Sequence, residues 1–134
     1  MNYQIKKAGL IDLPSIIELD YSVTGERRNK LIEYFLSSSK LVFDKNLNLK
    51  AFFIEDLGDG LIISNEAAFG IELLKYKLNL KRNNITIPEN NIHAKKFLIN
   101  NGFKKHKSAQ KMILGKSYSW KPDCVYSRAS GYCG

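Results

Sequence analysis

With 134 residues, the chain has the size of one domain that can close a core without disulfides or metals. Its 44% hydrophobic and 25% charged residues, with 3 prolines and 9 glycines, exclude a collagen-like or low-complexity chain. A formal charge of +8 and a pI near 9.5 imply attraction to anions, whether cofactor phosphates, an acidic substrate or nucleic acid, and do not choose among them.

The opening MNYQIKKAG lacks the apolar run of a signal peptide, and no apolar stretch approaches the ~20 residues that span a bilayer. The expectation is a cytoplasmic protein with no membrane partner. Cys124 and Cys133 stand in neither a metal-ligand nor a redox spacing and read as free thiols. With His93 and His106 scattered, nothing argues for zinc, and both histidines read as solvent-exposed. The basic residues are dispersed and no recognition helix with interleaved aromatics is visible, which argues against nucleic acid.

In chain order, Tyr3–Ala8 alternates apolar and polar residues as a half-buried strand does. Gly9–Asp12 turns it into a helix beginning near Pro14, with Ile16, Ile17 and Leu19 on its core face. Thr24 can cap a second helix whose first turn carries Glu26 and whose buried stripe is Leu31, Ile32, Tyr34, Phe35 and Leu36. Lys40–Asp44 and Leu49–Asp56 read as strands joined by a KNLN turn, and the GDG at 58–60 is a hairpin signal leading to a strand at Leu61–Ile63. These three strands form an antiparallel meander.

Ser64–Leu74, SNEAAFGIELL, carries a strand through a short turn into a helix with Ile71, Leu73, Leu74 and Leu78 as its buried face. Such a junction leaves backbone N–H groups pointing outward and is an anion site. Ile85–Ile87 is a β-branched run expected to be a strand, stopped by Pro88. A helix follows, capped by Asn90 or Asn91, with Ile92, Ala94, Phe97, Leu98 and Ile99 on one side, and Gly102 closes it. Phe103–Leu114 reads as a further strand. Residues 117–134 form an aromatic tail that packs on the domain or on a second subunit, and its WKPDCVYSR run can supply an extra edge strand.

Asn91, Ala94, Leu98, Gly102 and Phe103 resemble the last strand-helix-strand unit of the GNAT superfamily of N-acetyltransferases, Asn-x-x-Ala, an apolar or aromatic residue four on, then Gly-Phe. The opening strand followed by Lys-Ala-x-x-x-Asp-Leu-Pro is similar to the first strand and helix of that fold. Asp20, Gly25 and Arg28 resemble an Asp-x4-Gly-x2-Arg run in the GNAT-like C-terminal domain of two-part acetyltransferases, where it lies beside the substrate cleft. The resemblance covers residues 3–115. It implies an α+β fold, a mostly antiparallel twisted sheet flanked by helices, in a single domain over 1–134 with 116–134 as a C-terminal extension.

The resemblance also implies transfer of an acetyl or other acyl group from acyl-CoA, its co-substrate, to a small-molecule or protein amine; the aromatic tail suits pairing as a homodimer. In the family the strand-to-helix junction reads Gln/Arg-x-x-Gly-x-Gly/Ala and its amides bind the CoA pyrophosphate. Here Asn65 and Ala68 stand where Gln or Arg and the first Gly are usual, and Gly70 matches the last. Cofactor contacts are therefore expected from Ile63, Ser64, Asn65, Ala68, Phe69, Gly70 and Ile71, with Asn91 and Ala94 nearby and charge from Lys75, Lys77, Lys81 or Arg82 if they fold back toward the cleft.

Transfer needs a deprotonated amine, a polarised thioester carbonyl and an acid for the thiolate. The strand at 61–64 would offer the amides; Glu55, Asp56 or Glu66 is the candidate base, with Glu55 first. The family's usual tyrosine position holds Leu98, so Tyr126 or Tyr118 from the tail would substitute as acid, Tyr126 first. Asp20 and Arg28 are expected on the substrate side. The altered junction and Leu98 also fit an alternative, a catalytically weak or inactive CoA-binding or regulatory module.

Overall fold

The computed structural model describes residues 3–81, 84–103 and 121–128. Among these residues five strands form one open antiparallel sheet in sequence order: β1 (Tyr3–Lys7), β2 (Ser39–Asp44), β3 (Leu49–Ile54), β4 (Leu61–Ser64) and β5 (Val125–Ser127). Among the described residues four α-helices flank it: α1 (Leu13–Thr24), α2 (Asn29–Tyr34), α3 (Ala67–Asn79) and α4 (Ile92–Asn100). The protein is thus α+β.

Strand periodicity sorts the core into two layers. Leu41, Phe52, Ile54, Leu61, Ile63 and Val125 face α1 and α2, meeting Ile16, Leu19, Val23 and Ile32. Val42, Ala51, Phe53, Ile62 and Tyr126 face α3 and α4, meeting Phe69, Leu73, Leu74, Ala94 and Leu98. Covered on both sides, β3 and β4 are apolar at nearly every position, as the unbroken AFFI and LII runs require.

The expected opening strand, the meander and the Pro14 helix all form. The KNLN turn is fixed by Asp44, whose Oδ1 accepts the N–H of Asn46 and of Asn48, both at 2.9 Å, while Leu47 takes φ 64°.

The second helix differs from its expectation. Thr24 is the last residue of α1, not a cap for α2; its hydroxyl donates back to the Asp20 carbonyl at 2.8 Å. Gly25, at φ 74°, donates its N–H to the Tyr21 carbonyl and turns the chain, so α2 begins only at Asn29. In this six-residue helix only Ile32 is fully buried. Tyr34, two residues on, falls about 200° round the axis and is 80% exposed.

Ile85–Ile87 also departs from expectation. The segment joins no ladder; it contacts the sheet's end through one backbone bond, Arg128 N–H to the Thr86 carbonyl at 2.7 Å. Branched side chains favour extended backbone, but a ladder needs a partner with free groups, and the outer edge of β4 is already paired by β5. The tail's WKPDCVYSR run supplies that strand.

The helix after it forms where expected, but of the residues expected on one side only Ala94 and Leu98 are buried, while Ile92 and Ile99 are each 58% exposed. Asn91 caps α4, accepting the Ala94 N–H at 3.0 Å. Gly102, at φ 86°, donates to the Ile99 carbonyl and Phe103 to that of Leu98, the double closure that a left-handed residue after the helix permits. Phe103 packs in the same layer as Leu98. The strand expected over 103–114 lies, apart from Phe103, outside the described residues, as do His106, Tyr118 and Cys133.

Candidate functional site

The site is built where β4 runs through Ser64, Asn65 and Glu66 into α3. Buried Ser64 shapes the bend: its hydroxyl lies 2.8 Å from both the Lys50 and the Glu66 carbonyl oxygens and accepts the Glu66 N–H at 3.1 Å. Glu66 has extended backbone and its side chain makes no cap bond; it pairs with Lys50 at 3.2 Å instead. The first intrahelical bond runs from the Gly70 N–H to the Glu66 carbonyl at 3.1 Å. The N–H groups of Ala67, Ala68 and Phe69 therefore have no acceptor within the helix. Asn65, Glu66 and Ala68 are exposed, so this end of a 13-residue helix opens on solvent with its positive dipole end outward.

The other expected contact residues lie close by in the fold, with jobs inside it. Ile63 is fully buried in β4, Phe69 faces the α3–α4 layer and Ile71 packs at its margin. Gly70 sits under the Tyr126 ring: a Cβ there would lie 2.5 Å from ring carbons, so only glycine lets α3 come this close to β5. Asn91 is engaged on both sides, accepting from Ala94 and donating from Nδ2 to the Val125 carbonyl at 2.8 Å. Ala94 is fully buried.

Glu55 stands just past β3, opposite the start of β4, about three strand residues or ~10 Å from the α3 junction. Its carboxylate pairs with Lys40 Nζ at 2.7 Å, and that hydrogen bond holds the lysine above its usual pKa. Asp56 is exposed. Tyr126 is 2% exposed, and burial pushes its hydroxyl up to about 12, with Asn91 pulling slightly the other way. It is thus neutral across the physiological range.

Asp20 and Arg28 are brought together, on the sheet face opposite α3. Arg28 grips the fully buried carboxylate with two parallel bonds, Nε to Oδ2 at 2.9 Å and Nη2 to Oδ1 at 2.5 Å. Gly25 makes this possible, because its left-handed turn reverses the chain inside the eight-residue separation. The spacing Asp-x4-Gly-x2-Arg is accounted for by this closure.

Two features central to the arrangement were not read in the sequence, the burial of Lys77 and its partner Ser127. Lys77 has no exposed surface and donates from Nζ to the Asn84 carbonyl and to Ser127 Oγ, both at 2.9 Å. Ser127 Oγ in turn donates to the Gly60 carbonyl at 2.6 Å. Lys77 therefore points into the interior, away from the α3 N-terminus where its charge was expected. The signal was present: Lys77 is four residues from Leu73 and three from Leu74, on the same buried stripe. Nothing in the sequence marks Ser127 as its partner.

Among the described residues no group of three or more His, Cys, Asp and Glu side chains is placed to hold a metal, and no helix is long and apolar enough to cross a membrane. No protein-family model matches the chain, and a search of curated proteins gives no significant match.

Proposed function

We propose that this chain is a GNAT-like N-acyltransferase that takes an acyl group from acyl-CoA and gives it to an amine. The observation that carries the reading is the β4–α3 junction, where the outward N–H groups of Ala67, Ala68 and Phe69 lie at an exposed turn with the dipole of α3 behind them. Asn65 at that turn can donate to a phosphate, and the half-buried Lys50, if released from Glu66 and Asp44, adds a charge. The Asn91 cap and the Gly102–Phe103 closure support the same reading, because they occupy the places of the family motif.

In this reading acyl-CoA supplies the thioester, and the chain binds its phosphates at α3 with the acyl arm laid back along β4 toward Glu55. Glu55 would accept the amine proton once it parts from Lys40. Tyr126, protonated until about pH 12, would give a proton to the thiolate.

A second reading, binding without turnover, is favoured by one specific feature: β5 pairs with the outer edge of β4 at Ile62 and Ile63, where the arm would run, and buries Tyr126 there. One pair of measurements separates the two. Thermal unfolding with acetyl-CoA tests binding, since a ligand at 100 times its Kd adds about 2.7 kcal/mol of stability. Thiol release with a panel of amines then tests turnover. A shift with release supports the transferase, a shift without release supports the binding module, and no shift at millimolar acetyl-CoA refutes both.

A further inference from the structure

Strand β1 stands at one end of the strand order, so among the described residues only β2 pairs with it, through five register pairs without a shift. The direction of its remaining backbone groups follows from one bond. Ala8 donates its N–H to the Ser39 carbonyl at 2.9 Å, which makes Ala8 and Ser39 a bonded pair of the antiparallel ladder. Such pairs alternate, so Gln4 and Lys6 also bond toward β2, and the N–H and C=O groups of Tyr3, Ile5 and Lys7 point away from the sheet. The charge beside this edge changes sign along it. At one end Tyr3 lies across from Asp44, and its hydroxyl donates at 2.7 Å to Glu72, which also pairs with Lys75 at 3.4 Å. At the other end come Lys6 and Lys7, both exposed, with Lys40 across from Lys7 and held by Glu55.

We propose that the outer edge of β1 pairs with the same edge of a second copy of this chain, antiparallel and centred on Ile5, so that two sheets join into one. Charge selects the antiparallel sense: it sets the lysine end of one copy against the acidic end of the other, where parallel pairing would set like ends together. Backbone geometry selects the register. Centred on Ile5, each Ile5 bonds to Ile5 of the second copy, and Tyr3 and Lys7 bond to Lys7 and Tyr3, all of them residues whose N–H and C=O point outward. Cross-strand partners share a face of the sheet, so Lys7 comes beside Tyr3 and Glu72 of the second copy. Slid by two residues one way, Lys6 would stand directly against Lys6; slid the other way, Lys7 passes beyond Glu72. Lysines on an edge strand ordinarily deter pairing. Here Lys6 is held over the Phe43 ring, 5.5 Å from its centre, and meets only Gln4, while Lys7 gains a carboxylate, so the lysines reject other registers and accept this one. A five-residue edge buries little area, which makes the dimer concentration-dependent and not obligate.

Sedimentation equilibrium of the full chain, from micromolar to millimolar protein under reducing conditions, tests the pairing. The parent should pass from monomer to dimer over that range. Lys7→Glu and Glu72→Lys should each raise the dimer Kd at least about tenfold, and the double variant should return it to within about threefold of the parent. Within one chain the two residues serve opposite ends of β1, so that rescue can only come from contact between copies. Ile5→Pro removes an outward N–H that β2 does not use and should give a monomer whose circular dichroism and urea midpoint show it folded. Should that variant unfold, the charge exchange decides alone. A parent that stays monomeric to millimolar overturns the proposal. So does a dimer that neither charge reversal weakens, which places the contact elsewhere, and failure of the double variant to recover overturns the register.

Discussion

Asp20 with Arg28 on one face of the sheet and Lys77 on the other are buried charged arrangements made in opposite ways. Under α1 and α2, Asp20 and Arg28 neutralise each other across eight residues of chain, turned back by Gly25. Under α3 and α4, Lys77 rests on neutral oxygens drawn from segments far apart in sequence, Asn84 and, 50 residues on, Ser127. The first is a closed local knot that folds with its own helix. The second is complete only when Ser127 is in place, so a buried lysine depends on a contact across 50 residues of chain.

If that contrast is right, breaking the local knot should be the most damaging change. Asp20→Ala leaves the mostly buried Arg28 without its carboxylate and should cost about 3–5 kcal/mol, read as a lower urea midpoint. Replacing both residues by apolar ones should cost less than removing Asp20 alone.

On the other face, pH is the sharper tool. The folded pKa of Tyr126 is raised to about 12 from an ordinary 10, so the folded state keeps a proton that the unfolded chain gives up. The contribution is whole below pH 10 and is lost as pH rises to about 12, a drop of about 3 kcal/mol. Tyr126→Phe should lose less stability than the parent across that window when both are followed by urea titration.

Gly70→Ala should cost about 1–3 kcal/mol, because its methyl group would meet the Tyr126 ring at 2.5 Å. In a Tyr126→Ala background the same change should be nearly neutral; equal costs in both would show that the ring is not what requires glycine. Asn91→Ala should cost about 1–2 kcal/mol, through the lost cap of α4 and the unpaired Val125 carbonyl.

The same contrast governs what could be read in the residues alone. Alternation in YQIKK, the unbroken apolar strands, Asn91 at the start of α4 and Gly102 at its end are signals spent within one turn or one strand, and each led to the right element. The end of α1 was misplaced because Thr24 is as well suited to cap a helix as to finish one, and the choice was made by Gly25 and by the pull of Arg28 toward Asp20. Ile85–Ile87 has strand residues but no ladder, since pairing is decided by which segment reaches the β4 edge. For the site, the outward amides of the β4–α3 turn were legible as a junction. The strand laid along β4, the burial of Tyr126 and the Lys77–Ser127 bond depend on contacts across 50 or more residues, which no local pattern encodes.

The most direct test of the account is an acetyl-CoA titration followed by amide chemical shifts in 15N-labelled protein. Saturable shifts are predicted at Ala67, Ala68 and Phe69, accompanied by Ile62, Ile63 and Val125–Ser127. A titration to millimolar acetyl-CoA that leaves the first turn of α3 unmoved would contradict it.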